Sequence, residues 1–228
     1  MSLEVPKNQQ KQRELPPKGL QHARCIRIID LGTQDTVFNG EPKKTPQVKF
    51  TFELVNHMFV FDEKKGPEPF VVSQTHTASL SDKSNMYAML KNWNEKVTEA
   101  LAAGAESVKL STFIGQPAII KITHEKSKKN PDITYGLIGD KGRQVNNREG
   151  VEIKKSQNPH VVMDLAWMKT DPEKFKATWE QLYDYEKKTI QKSYEYREHF
   201  VNQPAAAAPQ QQENGDLPEQ ISEDNVGF

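Results

Sequence analysis

The run from Gln47 to Val55 constrains this chain more than any other stretch. Val48, Phe50, Phe52 and Leu54 fall on one side, and Lys49, Thr51 and Glu53 on the other. A period of two means a strand with one buried face. Residues 23–31, 69–79, 117–125 and 132–139 read as four more strands, rich in β-branched and aromatic residues and bounded by turn signals at Gly32, 39–42, 64–67 and 126–131. Between the third and fourth strands the period changes. Met86, Leu90, Trp93, Val97 and Leu101 are spaced by three or four residues, which makes one stripe of a helix over 84–103. Ser81 or Ser84 can cap its start and Gly104 can end it.

The order is β-β-β-α-β-β. It matches a five-stranded OB-fold barrel with its helix between strands three and four, a mainly β fold with α. An α+β sandwich of the same elements is the rival arrangement. The barrel is expected over 20–140, after a mobile Lys/Gln/Pro-rich arm over 1–19. A C-terminal extension over 141–200 follows. Its residues 161–168 are apolar enough to pack on the barrel, and Asp171-Pro172 opens a long helix running to about Phe200. The helix carries Phe175, Trp179, Leu182 and Ile190 on a narrow apolar stripe. Residues 201–228 are Ala/Pro/Gln-rich and then acidic. They bury too little apolar area to offset their ordering entropy, so a disordered linker and acidic tip are expected.

The 31 basic and 31 acidic side chains cancel, but they are unevenly placed. Residues 204–228 hold five carboxylates (Glu213, Asp216, Glu219, Glu223, Asp224) and no Lys or Arg. Residues 1–203 hold 31 basic and 26 acidic side chains, a net +5. A basic body with an acidic tail fits nucleic-acid interaction, an interaction tail, or a tail that only solubilises. Membrane spans are not expected, because the longest apolar runs are short. The opening residues lack the apolar core of a secretory signal. One cysteine, Cys25, rules out an internal disulfide and fits a reducing cytoplasm.

Catalytic and cofactor signatures are missing. The run Gly139-Asp-Lys-Gly142 lacks the spacing of a phosphate loop, and His124-Glu125 lacks the second histidine of a zinc protease motif. Cys25 reads as a small buried strand residue. The chain is read as a non-enzyme without metal or cofactor.

Single-strand binding needs a positive groove and rings on which bases stack. Arg24, Arg27, Lys49, His76, Lys121, Lys126, Tyr135, Lys141 and Arg143 are the candidate contacts, with Lys128, Lys129 and Arg148 clustering near the same loops. Phe50 and Phe52 share the apolar face and read as core. Lys49 and Lys121 oppose apolar neighbours and face outward. Arg27 faces outward if Ile26 and Ile28 face in; the pattern of strand one allows either. Tyr135 shares a face with Ile133 and Leu137, which favours core, yet it is the ring in strand five placed to stack if that face is open. His76 can stack or sit at the rim. At the tip, Glu223, Asp224 and Phe228 combine steering charge with an aromatic anchor for a partner protein. The same tail can occupy the basic groove until DNA displaces it.

Several segments carry a resemblance. Ala23 to Gln34, Lys49 to Leu54, Pro69 to Ser73 followed by Thr77 to Leu80, Phe113 to Pro117, and Lys188 to Tyr196 resemble segments of a tailed-phage single-stranded DNA-binding protein family, whose members are often labelled phage structural proteins. The resemblance spans about residues 16–198. Gln74-Thr-His76 departs from it, being less basic and aromatic than the family's third strand. The resemblance implies an OB-fold, single-stranded DNA as ligand, a role in phage DNA replication and recombination in the bacterial host cytoplasm, and a tip that recruits replication or recombination proteins. A virion-associated structural protein and a strand-annealing mediator are the alternatives.

Overall fold

The computed structural model describes residues 14–93, 95–127, 130–139 and 152–201. Five antiparallel strands lie in the order β3-β2-β1-β4-β5, where β1 is Gly19–Phe38, β2 Glu41–Asp62, β3 Gly66–Thr77, β4 Pro117–Lys126 and β5 Thr134–Ile138. The outer strands β3 and β5 come alongside each other, so the sheet curls into a nearly closed, OB-like barrel. The first two strands are far longer than their apolar patterns. They meet at Asn39-Gly40, where both residues have positive φ (53° and 85°), the conformation of a tight hairpin turn.

The barrel interior holds Phe50, Phe52, Leu54, Val72, Ile120, Ile122 and Ile138. Helices α1 (Asn85–Trp93) and α2 (Glu95–Ala102) follow β3. Ser84 caps α1 by accepting the Tyr87 N–H at 2.9 Å, and Gly104, at φ +85°, ends α2. The side chain of Leu101, the last residue of the expected stripe, lies outside the described residues. Trp93 closes the barrel. Its ring centroid is 5.3 Å from that of Phe52 and 4.7 Å from that of Phe113, and its indole N–H donates to Pro117 O at 2.9 Å. Burial of an indole is stable only with such a partner.

A second core lies on the outside of the barrel. The short strand β6 (Val161–Met163) runs parallel to β1 at Arg27–Ile29, on the edge that β4 leaves free beyond Arg24. Ile29, Leu31, Val161, Met163, Leu165 and Met168 pack there with Phe175, Leu182 and Ile190. The expected packing of 161–168 on the barrel is therefore present.

The expected long helix is not. After α3 (Trp167–Thr170) the chain forms α4 (Pro172–Trp179), α5 (Asp184–Gln191) and α6 (Tyr194–Val201). Asp171 caps α4 as its sequence suggests, accepting the Lys174 N–H at 3.2 Å. The breaks have local causes. Arg27 takes the Gln181 carbonyl at 3.1 Å, and the Tyr183 N–H turns to the Glu186 carboxylate at 3.1 Å. Ser193, fully buried, accepts the Tyr196 N–H at 3.2 Å and starts α6. Three short helices follow the curved sheet, which a straight rod of about 45 Å cannot do.

Candidate nucleic-acid interface

A β-bulge resolves which way β1 faces. Cys25 pairs with Phe52 and Arg27 with Thr51, so Ile26 is the extra residue. Cys25 and Ile28 both point into the barrel, and Arg24, Arg27 and Ile29 point out. On β2, Lys49, Thr51 and Glu53 point out beside them.

That outer face is covered. Arg27, Lys49 and Glu53 are all buried under the C-terminal extension, so Arg27 and Lys49 are not surface contacts, contrary to expectation. Both reach Glu186 of α5: Arg27 Nη2 at 2.6 Å and Lys49 Nζ at 3.3 Å. Arg27 also lies 4.3 Å from the centroid of Tyr183, and Lys49 bonds the Tyr185 hydroxyl and lies 4.0 Å from its ring. Burial lowers Lys49 to a pKa of about 8 despite Glu186, and the same burial raises Tyr185. Glu53 accepts three N–H bonds at 2.8 Å, from Gln157 N, Asn158 N and Asn158 Nδ2. The alternation of β2 shows which side chains leave the barrel, but not that a distant segment returns to bury them.

Arg24 is half-buried on the same face. Its guanidinium donates to the carbonyls of Gly115 (2.7 Å), Lys154 (2.6 Å) and Ile153. It ties the extension to the turn before β4. His76 is neither a stacking ring nor a rim residue. It pairs across from Val48 inside the barrel, edge-on to Phe50 with centroids 6.0 Å apart. Burial lowers its pKa to about 4, and its Nε2 has no partner among the described residues.

Tyr135 reverses the other way. Ile120, Ile122 and Ile138 face in, so Tyr135 and Leu137 lie on the outside of the β4–β5 hairpin, with Lys121 and opposite Glu125. Lys121 and Lys126 are exposed and Tyr135 is half-buried. Lys121 and Tyr135 thus share one accessible face, and Lys126 lies at its end. Lys141, Arg143, Glu223, Asp224 and Phe228 lie outside the described residues, as do Lys128, Lys129 and Arg148.

The most exposed aromatic ring among the described residues is one the strand patterns did not single out. At the tip of the β1–β2 hairpin, Val37 and Phe38 are 73% and 64% exposed. Lys43 Nζ lies 5.6 Å from the Phe38 centroid. One step inward, Lys44 Nζ and the Arg197 guanidinium lie 3.9 and 4.6 Å from the centroid of Tyr194, whose hydroxyl bonds Asp35. The Asn39-Gly40 pair was the available signal, since such a pair extends both flanking strands. The β2–β3 hairpin forms a second arm. It exposes Met58, Val60 and Phe61, with Phe59, Phe61 and Phe70 in mutual ring contact.

Among the described residues no group of His, Cys, Asp or Glu could hold a metal ion, and no helix is long and apolar enough to cross a membrane. Cys25 is free and fully buried, and that burial pushes its thiol pKa up, away from nucleophilic use. Comparison with protein-family models, curated proteins and solved structures finds no match to this chain.

Proposed function

We propose that this protein binds single-stranded DNA without sequence preference, as an OB-fold protein of phage replication and recombination. The β1–β2 hairpin carries the reading. There an exposed Phe38 with Lys43, and the half-buried Tyr194 with Lys44 and Arg197, set flat rings beside cations on and next to the projecting hairpin. Bases stack on any exposed ring at about 1–3 kcal/mol each, and the cations meet phosphates. Lys121, Lys126 and Tyr135 on the β4–β5 hairpin form a second, separate patch toward the opposite end of β1. The covered strand face takes no part. The acidic tail, with Glu223, Asp224 and Phe228, competes for the cations and recruits replication or recombination proteins once displaced.

The test is fluorescence anisotropy of labelled oligo(dT) titrated with the full chain. Binding is expected at micromolar protein in low salt. Its log affinity falls with log salt by about 0.7 per phosphate neutralised. Absence of binding at low salt refutes the reading. A second reading, a structural protein that assembles through contacts between proteins, rests on the apolar β2–β3 arm with Met58, Val60 and Phe61 exposed.

A further inference from the structure

Away from both arms, one concavity gathers cationic groups. It is an open pocket of about 490 Å³ lined by Arg24, Gly115, Lys155, Ser156, Asn158 and His160. Among the described residues no carboxylate lines it. Glu53 lies behind Asn158, fully buried, with its oxygens already taken by three N–H donors.

The lining is built rather than incidental. Arg24 bonds only carbonyls, which fix the guanidinium without cancelling its charge; Arg27, by contrast, is neutralised by Glu186. Three of the five N–H donors of Arg24 are used, so two remain for a ligand. The His160 imidazole closely approaches Gly115. A Cβ at that glycine would come within 2.8 Å of the imidazole, and φ there is +74°. The ring nitrogen Nε2 is 2.8 Å from Ser156 Oγ, which orients the hydroxyl and the imidazole together. Lys155 adds an exposed ammonium at the mouth. A fixed guanidinium, an ammonium and the proton that the Ser156–His160 pair leaves free, with no acid among these residues, are a donor set for a phosphate. The volume admits an attached nucleoside.

We propose that this pocket binds the phosphate group of a nucleotide, either free or at the 5′ end of a strand. The inference does not rest on the single-strand reading, since it uses none of the hairpin residues.

Calorimetry on the full chain tests it with four probes: dTMP, thymidine, an unphosphorylated dT octamer and its 5′-phosphorylated form. Wild type is expected to bind dTMP and not thymidine. Lys155→Glu and His160→Ala alter exposed side chains, so the fold is retained. Each is expected to weaken dTMP by about tenfold, the loss of one polar contact to the phosphate. Lys188→Glu, the same charge change on an exposed residue of α5, should leave it within about twofold. Failure of dTMP to bind together with equal binding of the two octamers, equal binding of thymidine and dTMP, or binding indifferent to both pocket variants overturns the proposal; tighter binding of the phosphorylated octamer without dTMP binding assigns the strand end. Where dTMP binds as expected, tighter binding of the phosphorylated octamer assigns the strand end as the source, and equal binding of the two octamers assigns the free nucleotide. If dTMP binds while neither octamer does, the pocket stands and the single-strand reading falls. If both octamers bind equally while dTMP does not, the reverse holds.

Discussion

Glu186 of α5 lies 2.6 Å from Arg27 on the opposite side of the interface between barrel and extension, and both side chains are buried. Lys49 shares the same carboxylate at 3.3 Å. One anion thus serves two cations that project from neighbouring strands.

The two kinds of substitution at this cluster should differ sharply. Glu186→Gln leaves two buried cations facing each other and is expected to cost about 3–5 kcal/mol. Lys49→Met leaves the Arg27–Glu186 pair intact, removes a desolvated ammonium and is expected to cost less than about 1 kcal/mol. Urea denaturation of both variants measures this, and equal losses would show that Glu186 acts through packing alone.

His76 makes the fold acid-sensitive. Its folded pKa of about 4 lies below the ordinary value of 6.5, so between these values the unfolded chain takes a proton that the folded one refuses. The contribution of His76 is complete above pH 6.5 and is lost as pH falls toward 4, by about 3 kcal/mol in all. His76→Leu should flatten this part of the stability profile. The readout is the difference between wild type and variant at pH 7 and pH 5, and a variant with the same slope as wild type would exclude His76 as its source.

Gly32 marks a close approach between β1 and the helices. At φ +70° it carries no side chain, and a Cβ there would fall 2.6 Å from Ser193 Cβ and 2.7 Å from Glu195 Oε2. Glu195 in turn receives the Thr33 N–H at 2.7 Å and the Thr33 hydroxyl at 2.6 Å. Gly32→Ala is expected to cost about 2 kcal/mol or more, from strain and displacement of α6. Hydrogen exchange should show the loss first in α6, before the barrel strands; uniform protection across both would contradict this.

For DNA, the exposed and buried cations should separate. Phe38→Ala should weaken oligo(dT) by about 1–3 kcal/mol, and Lys43→Glu with Lys44→Glu should weaken it and reduce the salt slope. Lys49→Met should leave affinity unchanged in folded protein. Anisotropy titrations at two salt concentrations measure all three, and a large effect at Lys49 alone would move the interface to the covered face.

Removal of residues 204–228 takes away five carboxylates and should tighten oligo(dT) binding at low salt, with the gain fading at high salt. Unchanged or weaker affinity would rule out a competing tail.

Much of the barrel was legible in the chain. The alternation of 47–55, the switch of period at Met86 and the cap at Ser84 are local signals, and each corresponds to an element. The limits were equally physical. Strand parity at Cys25–Ile28 depends on a bulge, which inserts one residue without any composition cue. Lys49 does leave the barrel, but whether it meets water or Glu186 depends on a contact 137 residues away. His76 sits in a strand whose pattern lacks clean alternation, so its inward direction came only from its pairing with Val48. The helix breaks at Gln181 and Ser193 reflect bonds to β1 and a buried cap rather than any Gly or Pro.

β6 adds three residues to β1 and takes over its edge where β4 ends. A fragment stopping short of Val161 would therefore keep most of its barrel yet leave Arg27 to Ile29 with free amide and carbonyl groups beside a bare apolar strip. Such a truncated chain is a template for adding strands from its own copies, and self-association into polymers is its natural fate.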